Sequence, residues 1–181
     1  SSCGENQHLI SPVWPLQTPW SPLLSNAVKR AIRLGETQAA PRISDLHAVT
    51  ASITGKIEIE ALGDAKEDRI VDKLIQGAVL NTFNRHFRPQ DFRELTTSFD
   101  SGLTIEVSEM MPSAEYEARA LDLPGMRAAV SKLLPVSQPR SAEKGHSAAA
   151  TASAIEFILE GLHLSQKLNK SRVEGKTLYR R

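Results

Sequence analysis

Cysteine is nearly absent: Cys3 is the single thiol in 181 residues. One thiol cannot close an internal disulfide, which fits a reducing compartment. Aromatic residues make up only 5%, too few for the stacking platforms that read single-stranded nucleic acid. An excess of either charge is also missing. The 22 Lys and Arg face 21 Asp and Glu, for a net charge of +1, so no global field draws the chain to phosphates. No stretch approaches the ~18 consecutive apolar residues of a bilayer crossing. Ser1 to Ile10 has neither the basic start nor the apolar run of a signal peptide. These absences lead to the expectation of a soluble, cytoplasmic protein with no membrane partner, and they argue against nucleic acid as one.

Signatures of chemistry are scarce as well. The nearest approach to a phosphate-binding loop is Thr54-Gly55-Lys56-Ile57. It has Thr50 where the first glycine belongs and Ile57 where the Mg²⁺-binding hydroxyl belongs. No G-x-G-x-x-G occurs. His8, His47, His86, His146 and His163 are scattered with no H-x-x-x-H pair and no second cysteine, so no zinc site is expected. Asp45 with His47, or His163, could be asked to form a hydrolytic site, but lone histidines at helix edges are usually packed or solvated. Cys3 has no histidine fixed nearby to activate it. The expectation is therefore no catalytic residue, no metal site and no identifiable cofactor-binding residue in this chain.

What is present is 40% hydrophobic and 24% charged residues, enough for a sizeable core in one domain or two small ones. Residues 1–20 read as an irregular lead rich in Pro and Trp. Pro12-Val13-Trp14-Pro15 and Pro19-Trp20-Ser21-Pro22 both fit PxxP, a motif short enough to recur by chance. The chain opens on Ser1 rather than methionine, and the expectation is a fragment of a longer protein.

Helical punctuation begins at Ser21 as N-cap, Pro22 at the first helical position and Gly35 just past the end. Leu24, Ala27, Val28, Ala31 and Ile32 form the expected buried face, with Lys29, Arg30 and Arg33 off it. A second helix is expected over residues 44–53, with Leu46, Val49 and Ile53 inward. Residues 56–60 then alternate as a strand. Asp64 and Glu67 have capping-box spacing before a long helix whose core stripe is Val71, Leu74, Ile75, Ala78, Val79 and Phe83. A short helix over 90–97, a turn at Asp100-Ser101-Gly102 and a strand over 103–107 follow, and the two strands could pair as a small ribbon. Further helices are expected over 112–121 and 126–134. After a linker-like loop at 135–147 the last helix runs from Ser147 to Asn169, with Ile155, Ile158, Leu159 and Leu162 inward. Lys167, Lys170, Arg172, Lys176, Arg180 and Arg181 against Glu174 then read as a solvated, fraying tail.

Three stretches carry a resemblance. The first is Ser25-Asn26-Ala27-Val28-Lys29-Arg30-Ala31 through Arg42-Ile43-Ser44-Asp45-Leu46 to Thr54-Gly55-Lys56-Ile57-Glu58-Ile59-Glu60. The second runs from Phe99 through Gly102 to Glu106-Val107-Ser108 and the break at Leu123-Pro124-Gly125. The third is Ala154 to Leu164, then Lys167-Leu168-Asn169-Lys170. Together they resemble the C-terminal part of magnesium chelatase subunit I-like AAA+ ATPases of the MoxR-type group, over most of residues 21–172.

The resemblance implies a mainly α fold: AAA+ lid-like helices over 21–60 and a helical C-terminal extension over 61–181, with at most a small two-stranded β ribbon. It implies ATP and Mg²⁺ as cofactors of the full-length family, bound by a core this chain lacks, so the chain alone should not hydrolyse ATP. It implies a homo-oligomeric AAA+ ring and a client or partner protein as partners, with ATP-driven remodelling or metal-chelatase-type activity as the work done. Family lids carry an arginine that senses the γ-phosphate. Arg30 and Arg33 lie on the corresponding helix, but neither matches that role. The alternative reading is a stand-alone helical protein-interaction module.

Overall fold

In the computed structural model, residues 21–53, 67–134 and 146–181 are described. The lead with its PxxP motifs, the expected strand at 56–60, the Asp64 cap and most of the linker at 135–147 lie outside them. Seven α-helices carry the described chain: α1 (Ser21–Leu34), α2 (Leu46–Ile53), α3 (Glu67–His86), α4 (Arg93–Asp100), α5 (Ser113–Tyr116), α6 (Met126–Leu133) and α7 (Ala148–Leu164). Short 3₁₀ turns at Ile43–Asp45 and Pro89–Phe92 lead into α2 and α4, and a π-type turn over Glu117–Leu121 extends α5. The fold is mainly α, as the sequence leads one to expect. No helix among the described residues is long and apolar enough to cross a membrane.

Helix α7 is the central element. Ser147 caps it by accepting the Ala150 N–H at 3.1 Å, and Ile155, Ile158, Leu159 and Leu162 are fully buried. Helices α3, α5 and α6 all pack on it. Close approach of α3 depends on Gly161. A Cβ there would sit 2.1 Å from the Phe83 ring, so only glycine lets that ring come this close to the helix. Phe83 stacks in turn on Phe92 and meets Phe87, which joins the C-terminal end of α3 to α4.

Among the described residues the β structure is a three-stranded antiparallel sheet, larger than the two-stranded ribbon expected, and the expected partner strand at 56–60 lies outside them. Strand β1 (Ile105–Ser108) pairs with β3 (Lys176–Arg180), which pairs with β2 (Asn169–Val173), in the order β1-β3-β2. Ile105 lies opposite Tyr179, and both are buried in the main core. The basic tail is therefore a hairpin and not a fraying end. Its inward residues, Tyr179 above all, supply the apolar contacts that hold a short ribbon in place.

Helix α7 also ends earlier than expected, at Leu164. Gln166 adopts φ 60°, and the Lys167 N–H reaches the Leu162 carbonyl while the Gln166 N–H reaches His163, both at 2.9 Å. That is a Schellman stop with glutamine at the left-handed position where glycine usually stands.

Two buried faces differ from expectation. On α1 the inward residues are Ala27, Arg30 and Ala31, while Leu24 (55%), Val28 (49%) and Ile32 (74%) are exposed. The helix is turned so that the Arg30 guanidinium finds buried acceptors, and the two alanines permit close packing. On α3, Val71 and Phe83 are buried and Ile75 and Val79 partly so, but Leu74 and Ala78 face solvent. That helix is covered by α2 and α7 on one narrow strip.

Candidate functional site

The charged groups that matter lie where α1, the segment before α2, α5 and α7 meet. Asp45 ends the first 3₁₀ turn because its carboxylate folds back onto the Arg42 N–H at 2.8 Å. Its other oxygen takes the Arg30 guanidinium at 2.5 Å, and Arg30 also donates to the Ala40 carbonyl at 2.8 Å. Both ion-pair partners are buried. This pairing, absent from the sequence reading, is what turns α1.

Arg42 is buried as well. It donates to the Met111 carbonyl at 3.1 Å and to Ser113 Oγ at 2.8 Å, and its guanidinium lies 4.6 Å from the centre of the Tyr116 ring. Ser113 passes the connection outward: its N–H and Oγ both donate to the Glu36 carboxylate.

On α7, Glu156 and Glu160 stand one turn apart and each meets a tyrosine at 2.6 Å. The Tyr116 hydroxyl lies against Glu156 Oε1, and Tyr179 donates to Glu160 Oε2. The Ser44 N–H donates to Glu156 Oε2 at 3.2 Å, and Lys170 Nζ donates to Glu160 at 2.8 Å. Glu156 is 3% exposed. Burial raises its carboxyl above the usual glutamate range, against the lowering effects of the Tyr116 hydroxyl, Arg42, the Ser44 N–H and Arg30. Burial likewise raises both tyrosines, with the neighbouring glutamate adding to the effect in each case.

The geometry accommodates a neutral Glu156. Tyr116 Oη is also 3.2 Å from the Ser108 carbonyl. It can donate there while accepting the proton of a neutral carboxyl, so every group keeps a partner.

A recess of about 70 Å³ opens beside this network, between the hairpin and residues 43–47, lined by Ser44, His47, Glu156, Arg172, Thr177 and Tyr179 among others. Ser44 Oγ is buried there without a hydrogen-bond partner. The recess has room for several waters.

The residues weighed in the sequence are not brought together as a hydrolytic site. Asp45 is committed to Arg30 and Arg42, whereas neighbouring His47 is exposed. His163 Nδ1 faces the Leu168 carbonyl at 3.0 Å, at the helix stop. His86 is exposed beside Phe87. Cys3 and His8 lie outside the described residues, and among the described residues no cluster of three or more His, Cys, Asp or Glu could hold a metal ion. The buried Glu156 and Glu160 went unseen in the sequence, although two glutamates four apart on the apolar side of a helix were the signal available.

The surface carries a second feature. Leu24, Val28 and Ile32 are spaced four apart and form a ridge along α1, flanked by exposed Lys29 and Arg33. An open groove of about 350 Å³ lies between α1, α3, α6 and α7, lined largely by Leu23, Leu46, Leu133, Leu134 and Phe157. No protein-family model, no curated protein and no solved structure matches the chain.

Proposed function

We propose that this chain is the C-terminal lid and helical extension of a magnesium chelatase-like AAA+ ATPase, working through subunit and partner contacts. The observation that carries the reading is the apolar ridge of Leu24, Val28 and Ile32 on α1. A row of large aliphatic side chains left in water is what a lid helix exposes when the core it normally meets is missing. In this role the chain closes over nucleotide held elsewhere and transmits hydrolysis as a rigid-body rotation within a ring. ATP and Mg²⁺ belong to the core. No residue here fits them, since Thr50 and Ile57 stand where a phosphate loop needs glycine and a hydroxyl, and no step is assigned to them in this chain.

The test is to purify the nucleotide-binding core of a magnesium chelatase-type ATPase separately and measure its ATP hydrolysis with and without this chain. The chain alone should be inactive, and its addition should change the rate of the core several-fold. Val28→Asp should abolish that effect while leaving the helical circular dichroism intact. No complex and no rate change, with a monodisperse chain, would overturn the reading in favour of a stand-alone interaction module.

A further inference from the structure

Among the described residues the β2 edge of the sheet has no strand beside it, and its charge is distinctive. The order β1-β3-β2 leaves β1 and β2 outermost. The end of β1 is engaged, because the Ser108 carbonyl accepts the Met111 N–H at 3.0 Å and has the Tyr116 hydroxyl at 3.2 Å. Strand β2 has β3 on one side and no other described strand on the other, and four of its five residues are exposed. An outermost strand offers a row of N–H and C=O groups to any chain that can pair with it.

Six cations crowd this hairpin and its approach, against the single Glu174. Three are neutralised locally: Lys170 by Glu160 at 2.8 Å, Lys176 by Glu106 at 3.1 Å and Arg181 by Asp100 at 2.6 Å. Lys167, Arg172 and Arg180 are exposed and have no acidic partner among the described residues. Arg172 sits on the edge strand itself, and Arg180 lies opposite Asn169 at its start.

These charges select the occupant. Two copies of β2 placed edge to edge would set Lys170 and Arg172 against their own kind, which is unfavourable. Nucleic acid would find no stacking surface, since the one aromatic of the hairpin, Tyr179, is buried in the core. An extended acidic chain satisfies both the backbone edge and the uncompensated cations.

We propose that the β2 edge is a docking site for an extended acidic segment of a partner protein, which adds to the sheet as a fourth strand and sets carboxylates on one face against Arg172 and on the other toward Arg180, with Lys167 at the approach to the strand. The main-chain pairing supplies affinity and the cations supply selection for negative charge.

The probe is a fluorescein-labelled peptide with glutamates on both faces of the strand, acetyl-Thr-Glu-Glu-Val-Glu-Glu-Thr-amide, titrated with the full chain and followed by anisotropy. It should bind, and binding should weaken as salt rises from about 50 mM to about 300 mM. Arg172→Glu combined with Arg180→Glu should weaken it by about tenfold or more, equivalent to about 1.4 kcal/mol. The same peptide methylated at alternate backbone nitrogens should not bind, a control that leaves the protein untouched. Equal binding of the methylated peptide would show charge attraction without strand addition and overturn the proposal. Stronger competition by a single-stranded oligonucleotide of equal charge at the same salt would overturn it too, as would no binding at all.

Discussion

Glu156 shows how a single buried side chain can govern the response of this protein to pH. Its carboxyl is raised in the folded state, chiefly by burial. Above the ordinary glutamate range the unfolded chain has already released this proton while the folded chain still holds it, so stability falls as pH rises. The stabilising contribution is complete below that range and is lost as pH climbs through the raised value. Glutamine mimics the neutral acid: its amide can donate to Tyr116 Oη, which turns to the Ser108 carbonyl, and its oxygen still accepts the Ser44 N–H. Glu156→Gln should therefore gain stability relative to wild type as pH is raised from about 4.5 to about 7. Urea unfolding at several pH values reads this directly. A difference that does not vary with pH would mean that Glu156 is ionised in the fold. None of this was legible in the sequence, because the burial of Glu156 depends on Tyr116 and Ser44, which are far from it along the chain.

At the scale of elements, the turns that the sequence revealed and those it hid differ in one respect. Helix α1 stops at Gly35 with the Glu36 N–H on Ala31 and the Gly35 N–H on Ile32, the same pattern that stops α7 at Gln166. Gly35, Gly102 and Gly125 all carry positive φ, and all three breaks were read correctly from glycine. Among the described residues Gln166 and Glu174 are the two non-glycine residues with positive φ, and they mark the helix end and the hairpin turn that were missed. Glu174 and Gly175 form a two-residue turn between paired Val173 and Lys176. Glutamate lacks the local hydrogen bonding that makes Asn-Gly and Asp-Gly recognisable there. Gln166→Gly should relieve the left-handed strain and raise stability by about 1 kcal/mol, measured by urea unfolding. A loss of stability would show that the glutamine side chain has a role of its own at the helix end.

At the scale of the whole molecule, stability is concentrated around α7, where α3, α5, α6 and the sheet converge. The tightest point is Gly161 beneath Phe83. Gly161→Ala should destabilise by about 1–3 kcal/mol, the range for overpacking a filled core. Phe83→Leu removes the ring that the new methyl would strike, so the double variant should be less destabilised than the sum of the two single changes. Additive effects in that cycle would mean that α3 shifts away as a body instead of being held by the aromatic cluster of Phe83, Phe87 and Phe92. On the outside the molecule presents two unlike surfaces: the aliphatic ridge of α1 and the cationic edge of β2.

By itself the sequence determined the helical class, most helix positions, the glycine-marked stops and the apolar face of α7, because periodicity and caps are local properties of the chain. The tertiary structure alone decided which face of α1 is buried, since a guanidinium paired with Asp45 outweighed three aliphatic side chains in setting the rotation of the helix. It alone converted the basic tail into two strands, because hydrogen bonds between β1 and β3 join residues some seventy positions apart. And it alone made Glu156 a buried acid, since the groups that desolvate it arrive from other elements and no spacing along the chain records their approach.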